Sequence, residues 1–342
     1  RTAWRPWRAA LAALFALPMG EAELDAYRRA TGRSVAPATP AAEAWFIVGR
    51  RGGKSFITAL IGVYLACFRD YRQYLAPGER AVVMVIATDR RQARVILRYV
   101  KALLTEVPML RRMIANETTE SIELLNRVVI EVHTASIRAV RGYTLAAVLA
   151  DEVAFWRSDD SANPDVEVLN SFRPGMSTIP GAMLIGISSP YARRGVLWEA
   201  YRDHHGRDGD VLVWQADTRT MNPTVPQRII DRAYAEDPQA AAAEYGAEFR
   251  SDVSGFRQAE CLDAAVVTGR HELQPQRDVV YRAFADPSGG GADAFTLAIA
   301  HDDNGTAVLD VLRAHRGSPE AAVTEYAKLL QRYGLSTLTG DR

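Results

Sequence analysis

The sequence predicts an α/β protein with a mostly parallel sheet and helices on both faces of that sheet. Short apolar segments alternate with helical segments between residues 44 and 187, a pattern typical of parallel strands that are buried on both sides. A glycine-rich turn connects the first apolar segment directly to an apolar helix. A new group of apolar segments begins near residue 279 and predicts a second, smaller domain.

The elements follow in a regular order along the chain. Residues 10–32 predict an amphipathic helix that ends at Gly32. In the first domain, strands are predicted at 44–48, 81–87, 128–133, 145–150 and 182–187, with helices at 56–68 and 90–104. In the second, strands at 279–285, 295–301 and 307–314 precede a helix at 319–333, capped by Ser318 and begun by Pro319, and a fourth strand at 335–339. We therefore expect domains at 1–221 and 277–342, joined by a connecting segment at 222–276 that is mostly helical from 228 to 249.

The composition is that of an intracellular globular protein. The 342 residues suffice for two domains, and 48% of them are hydrophobic. The net charge is zero, so nothing attracts the whole chain to nucleic acid, although a local basic groove is compatible with that total. Cys67 and Cys261 form neither a metal-ligand pair nor a disulfide framework, which favours a reducing compartment. The run 9–17 behind Arg5 and Arg8 resembles a signal peptide, but we interpret it as helix, and we expect neither a signal peptide nor a membrane span.

The glycine-rich turn has the chemistry of a phosphate-binding loop. Backbone N–H groups before a helix point at phosphate oxygens, and the helix dipole adds to the attraction. Lys54 would reach the β- and γ-phosphates of a nucleotide, and the Ser55 hydroxyl would bind Mg²⁺. The usual pattern has glycine six residues before the lysine, where this chain has Val48. The predicted loop consists of Gly49, Arg50, Arg51, Gly52, Gly53, Lys54 and Ser55.

Two adjacent acids follow a later buried strand. Residues 146–150 are apolar and lead directly into Asp151 and Glu152. The carboxyl ends of parallel strands are where such sheets bind ligands. In P-loop ATPases the first acid completes the Mg²⁺ shell, and an adjacent glutamate polarises the attacking water. The sequence therefore predicts an ATP and Mg²⁺ site formed by these acids and the loop.

These motifs resemble those of tailed-phage terminase large subunits, the ATPases and nucleases that package phage DNA. The loop, the Asp-Glu strand end and the segment 186–190 occur in the same order, and a deviant loop that contains arginine is typical of that family. The resemblance implies a RecA-like (ASCE) ATPase domain in which Arg50 contacts a phosphate. Ser188 and Ser189 would couple hydrolysis to movement of the domain.

The resemblance also implies a trans-acting arginine. Arg141 is similar to the arginine finger that a terminase presents to the γ-phosphate in a neighbouring subunit, where its charge stabilises the transferred group. Arg138 is the competing choice. A surface arginine before the turn residue Gly142 is the structural alternative for Arg141.

The second domain predicts a nuclease site. Asp286 and Asp341 follow the first and fourth predicted strands, which are neighbours in RNase H-like nucleases, so that the two acids would face each other. Carboxylates so placed hold two divalent ions, Mg²⁺ or Mn²⁺, and Asp293 is an auxiliary candidate or a turn residue. Terminase nucleases have a similar Asp-x-Ser-Gly-Gly start, and their third metal carboxylate would lie beyond Arg342. We expect this domain to be incomplete and to cut DNA poorly or not at all.

Three functional hypotheses follow. The first is a terminase that translocates double-stranded DNA into a procapsid and cuts concatemers; its partners would be the portal protein, the small terminase subunit and copies of itself in a ring, in the cytoplasm of the bacterial host. The second is a helicase-type ATPase, which would need a second RecA-like lobe. The third is a truncated prophage remnant that binds without turnover. The chain starts at Arg1 without Met, which favours a piece of a longer product.

Overall fold

The computed structural model describes residues 4–135, 142–156, 164–250, 265–267, 269–287 and 294–340. The chain divides into two compact units, Arg1–Phe256 and Arg257–Arg342. The helices in chain order are α1 Arg5–Leu14, α2 Glu21–Thr31, α3 Lys54–Phe68, α4 Arg90–Glu106, α5 Pro108–Arg111, α6 Pro164–Met176, α7 Val196–His204, α8 Thr218–Met221, α9 Gln227–Glu236, α10 Pro238–Glu244 and α11 Pro319–Arg332. The strands are β1 Glu43–Val48, β2 Ala81–Ala87, β3 Ile114–Glu117, β4 Ser121–Leu124, β5 Val128–Thr134, β6 Thr144–Asp151, β7 Met183–Ser188, β8 Val211–Ala216, β9 Tyr281–Asp286, β10 Phe295–Asp303, β11 Thr306–His315 and β12 Thr339–Gly340.

The first unit contains an eight-stranded sheet in the order β3-β4-β5-β2-β6-β7-β1-β8. The strands from β5 to β8 in that order are parallel, whereas β4 at one edge pairs antiparallel with both β5 and β3. The predicted α/β class with a mostly parallel sheet is therefore confirmed. The order places β1 and β6, the two strands that carry the predicted motifs, on either side of β7.

Side chains alternate between the two faces of this sheet. Phe46 packs into a core on one face, whereas its neighbours Trp45 and Ile47 pack into a separate core on the other. This period of two is what a strand buried on both sides requires. Gly186 on β7 lies opposite Trp45 on β1, and a Cβ atom at that glycine would lie 2.3 Å from the indole ring. The glycine thus leaves room for the tryptophan.

Two predicted helical segments are each divided into two helices. The single helix predicted over 10–32 was wrong, because α1 ends at Leu14 and α2 begins at Glu21, with Pro18 between them. Proline is disfavoured inside a helix because it lacks the backbone donor and its ring clashes with the carbonyl group four residues earlier. The predicted end at Gly32 is confirmed, with a left-handed φ of 69° and an N–H that donates to the Arg28 carbonyl. In the segment 228–249, α9 and α10 are separated at Asp237, which caps the second helix.

The second unit contains a four-stranded sheet in the order β11-β10-β9-β12. Strands β9, β10 and β11 are antiparallel neighbours, whereas β12 pairs in parallel with β9. Helix α11 contributes Ala322, Tyr326 and Leu329 to the core of this unit. The first and fourth strands are therefore neighbours, as predicted, although β12 is shorter than the predicted segment.

Within the described ranges, no helix is long and apolar enough to cross a bilayer.

Candidate nucleotide site

The glycine-rich loop connects β1 to α3 at the carboxyl edge of the sheet. Gly53 caps α3 in a left-handed conformation with φ of 96°, which glycine adopts without strain. Gly49 is required for a different reason, because a Cβ atom there would lie 2.4 Å from Thr218 Oγ1. The loop therefore leads directly into α3. The backbone N–H groups at the start of this helix point toward the space that a phosphate would occupy.

Side chains from outside the motif hold the carbonyl groups of the loop. Trp7 on α1 donates from Nε1 to the Gly52 carbonyl at 2.7 Å. Thr218 Oγ1 donates to the Arg50 carbonyl at 2.8 Å, and Asn222 Nδ2 donates to the Arg51 carbonyl at 2.9 Å. None of the three residues was predicted from the sequence. Each contact is created by the tertiary fold, and the local sequence pattern does not indicate it.

Lys54 begins α3, and its amine lies inside the site. The residue is 6% exposed. Nζ donates to Ser189 Oγ at 2.7 Å and to the Val48 carbonyl at 3.0 Å. It also lies 3.4 Å from Glu152 Oε1. The lysine and the acids at the end of β6 are thus on the same edge of the sheet.

Asp151 is the last residue of β6 and is completely buried. Its Oδ2 accepts a hydrogen bond from Gln92 Nε2 at 2.9 Å, while Oδ1 has no hydrogen-bond partner in the described part of the chain. Burial, together with the charge of Glu152, raises the pKa of Asp151 to about 7, against the lowering effects of Gln92 and Lys54. A divalent cation at Oδ1 would satisfy this atom and favour the ionised form. Gln92 is another residue that the motifs did not reveal.

Glu152 turns away from the strand with a left-handed φ of 50°. Its Oε2 accepts hydrogen bonds at 3.2 Å from the Ser189 backbone N–H and from the Ser188 hydroxyl. Ser188 and Ser189, at the end of β7, therefore lie between the catalytic candidates on β6 and the lysine of the loop. The structure brings together Lys54, Asp151, Glu152, Ser188 and Ser189 as one connected group.

Both arginines of the loop are exposed. The Arg50 guanidinium is exposed and forms a salt bridge with Glu244 on α10 at 3.0 Å. The Glu244 hydrogen bond raises the pKa of Arg50 above its usual value. Arg51 is exposed and has a left-handed φ of 64°. Arg141 and its competitor Arg138 lie outside the described residues.

The side chains present fit a magnesium–nucleotide complex. Within the described ranges, no group of three or more His, Cys, Asp or Glu side chains is placed to hold a metal ion. Magnesium at nucleotide sites commonly takes only one or two protein ligands and completes its shell with phosphates and water. Ser55 in the first turn of α3 and the unpartnered Oδ1 of Asp151 have the required chemistry.

The acids of the second unit are only partly described. Asp286 is exposed at the end of β9, opposite Thr296 on β10. Gly340, which precedes Asp341, pairs with Ala285, which precedes Asp286. Asp341 itself and Asp293 lie outside the described residues, so their predicted places stay predictions.

The family described as the N-terminal P-loop domain of the uncharacterized protein MJ0330 matches residues 31–247. The chain belongs to this P-loop family. The match covers the loop, both acids and the strand end with Ser188 and Ser189, so the sequence-based assignment of a P-loop domain is confirmed. A search of curated protein sequences gives no significant match.

Solved structures of phage large terminases are similar to this chain. The large terminase of bacteriophage HK97 has a TM-score of 0.55 and 16% identity, over 98% of this chain and 74% of that chain. A large terminase from a thermophilic bacteriophage in complex with ADP has a TM-score of 0.47 and 13% identity, over 98% and 77%. The large terminase ATPase domain of a Thermus phage has a TM-score of 0.46 and 18% identity, over 70% and 98%. The predicted resemblance to large terminases is confirmed at the level of the fold, on the HK97 structure.

Proposed function

We propose that this chain is a terminase-type ATPase that hydrolyses ATP to move double-stranded DNA into a procapsid. The observation that carries the proposal is the contact between the P-loop lysine and the acids of β6. Lys54 Nζ lies 3.4 Å from Glu152 Oε1, beside a buried Asp151 whose Oδ1 has no partner among the described residues. The HK97 fold supports the assignment to terminases.

Each residue has a distinct role in this proposal. The Gly49, Arg50 and Gly52 N–H groups donate to backbone carbonyls. The Gly53, Lys54 and Ser55 N–H groups at the start of α3 and the Lys54 amine bind the triphosphate. Ser55 and Asp151 hold Mg²⁺, which would neutralise charge on the phosphates when bound. Glu152 Oε1 orients the attacking water and accepts its proton, and its hydrogen bonds to Ser188 and Ser189 keep the carboxylate in position. When the γ-phosphate leaves, the contacts of those two serines would change and β7 would move with them.

The test is the substitution Glu152→Gln. The amide keeps the size of the side chain but cannot accept a proton, so we expect turnover to fall at least about 100-fold. Binding of ATP, measured by calorimetry, should persist because Lys54 and the loop are unchanged. Glu199→Gln, at an exposed acid on α7, is the matched control and should keep full turnover. Undiminished turnover in Glu152→Gln would contradict the role given to Glu152.

We further propose that the second unit is an RNase H-like nuclease. The order β11-β10-β9-β12, with three antiparallel strands, favours this fold over the second RecA-like lobe that a helicase needs. Asp286 and Asp341 would hold two Mg²⁺ or Mn²⁺ ions, one activating water and one stabilising the leaving oxygen.

Cutting of linear duplex DNA in Mn²⁺ tests the nuclease proposal. We expect Asp286→Asn to abolish whatever cutting the chain performs, because a neutral amide is a poor ligand for a hard cation. Asp303→Asn, at the exposed last residue of β10, is the control and should cut like the original chain. If the original chain cuts at a measurable rate, the same rate in Asp286→Asn would contradict a metal role for Asp286.

The remaining partners belong to the same proposal. A ring of copies on the procapsid would let Arg141, or Arg138, reach the γ-phosphate in the next subunit. The portal protein and a small terminase subunit would contact this ring in the host cytoplasm. Residues 222–276 would connect the ATPase and nuclease domains.

A further inference from the structure

Helix α4 has one apolar and one strongly basic face. Ala93, Ile96, Leu97, Val100 and Leu104 are buried against the sheet of the first unit. The opposite face carries Arg90, Arg91, Arg94, Arg98 and Lys101, all exposed. Basic residues at this helical spacing form a continuous stripe rather than scattered charges.

The basic stripe lines a cleft. The cleft has a volume of about 960 Å³, and its opposite wall is formed by residues 117–119 and Ile122 of the β3–β4 hairpin. Glu117 in that wall pairs with Lys101. In the described part of the chain, none of the four arginines takes part in an ion pair. The cleft therefore has an uncompensated positive charge, although the net charge of the chain is zero.

The length of the stripe indicates what it binds. From Arg90 to Lys101 the helix rises about 16 Å, at about 1.5 Å per residue. One strand of B-DNA presents a phosphate every ~3.4 Å of axial rise, so a stripe of this length matches the rise of about five nucleotides when it lies along the duplex axis. Guanidinium groups bind phosphate oxygens with two parallel hydrogen bonds, and the Thr118 and Thr119 hydroxyls line the same cleft. A single small anion would leave most of these charges unused.

We propose that this cleft between α4 and the β3–β4 hairpin binds the phosphate backbone of double-stranded DNA. The inference rests on the proposed function and deepens it by naming the surface of the first unit that contacts DNA. The same helix contains Gln92, which hydrogen-bonds to Asp151 at 2.9 Å. Arg91 and Arg94 are within one helical turn of Gln92. DNA bound by these arginines would thus lie close to a residue that contacts the nucleotide site.

Fluorescence anisotropy with a duplex of about 30 base pairs tests the proposal. The full chain is titrated in EDTA, which prevents cutting, at several NaCl concentrations. Two released counterions correspond to a loss of about 2 in the slope of log K against log [NaCl]. We expect this loss in Arg94→Ala/Arg98→Ala, together with weaker binding. Both positions are exposed and alanine favours helix, so the fold should persist.

Two further variants make the result specific. Arg94→Lys/Arg98→Lys keeps both charges and should keep the slope. Arg228→Ala/Arg232→Ala removes two exposed arginines from α9 and should leave both slope and affinity unchanged. The inference is overturned if the Arg94/Arg98 alanine variant binds like the original chain, or if the α9 variant weakens binding equally.

Failure of the DNA-binding inference can be distinguished from failure of the proposed ATPase function. Absence of ATP turnover in a chain whose cleft variants lose DNA would overturn the ATPase and leave the cleft standing. Turnover that depends on Glu152 in a chain whose cleft variants bind DNA normally would overturn the cleft alone. A change in oligomeric state without a change in DNA binding would assign the cleft to a neighbouring copy and overturn the inference.

Discussion

Asp151 and Glu152 are adjacent in sequence but have different surroundings. Asp151 is fully buried and keeps one oxygen without a partner among the described residues, whereas Glu152 leaves the strand through a left-handed backbone and reaches Lys54 and Ser189. The different environments of the two acids suit them to different chemical roles. A buried carboxylate with a free oxygen suits a cation, and a hydrogen-bonded, partly exposed one suits a water molecule.

The raised pKa of Asp151 predicts a pH-dependent stability. The pKa is about 7 in the folded protein against 3.8 for a free side chain, so ionisation is disfavoured by folding. In the absence of metal, the free energy of unfolding should therefore fall as the pH rises from about 4 through 7. Asp151→Asn cannot ionise, so we expect it to be more stable than the original chain at pH 8, by up to about 4 kcal/mol.

Thermal unfolding in EDTA at pH 5 and pH 8 measures this difference. The advantage of Asp151→Asn should be small at pH 5 and larger at pH 8. Asp303→Asn, at an exposed acid, should show no such dependence. A constant difference between Asp151→Asn and the original chain at both pH values would contradict the buried environment of Asp151.

At the level of residues, the sequence predicts the groups whose chemistry has a local signature. The loop from Gly49 to Ser55 and the acids after a buried strand could be placed on one edge of a parallel sheet, because strand ends meet there. Trp7, Gln92 and Thr218 could not be predicted, since each reaches the site from a distant element. Arg141 and Asp341 stay predictions.

At the level of elements, buried strands were the most predictable. Strand β2 is wholly apolar and buried, and its predicted bounds agree with the structure. Strands β3 and β4 carry polar residues at the sheet edge, so their apolar pattern is weak. Strand β8 has a clear apolar run, although no strand was predicted there. The divided N-terminal helix shows that Pro18 outweighs a continuous apolar periodicity.

Helix α4 is the element that connects the proposed activities. Asp89 caps it by accepting hydrogen bonds from the Arg91 and Gln92 backbone N–H groups at 2.7 and 2.9 Å. The cap fixes the turn from which Gln92 reaches Asp151. Because the helix is a single rigid segment, a shift of this turn caused by DNA would move Gln92 at the nucleotide site. A shift caused by nucleotide would likewise move the arginines of the cleft.

At the level of the whole molecule, the order of strands matters more than total composition. The sheet places β7 between β6 and β1, so that Ser188 and Ser189 lie between the acids and the loop. The first unit has a basic cleft although the net charge of the chain is zero. The proposed DNA site therefore follows from the position of charges on one helix and not from the net charge.

A crystal structure of the Glu152→Gln variant with Mn²⁺ and ATP tests the central claim most directly. Anomalous scattering locates the metal without reference to the protein. We expect Mn²⁺ to be bonded to Ser55 Oγ and to face Asp151 Oδ1, directly or through one water, with the Lys54 amine on the β- and γ-phosphates. A metal and triphosphate bound away from Lys54 and Asp151 would contradict the account.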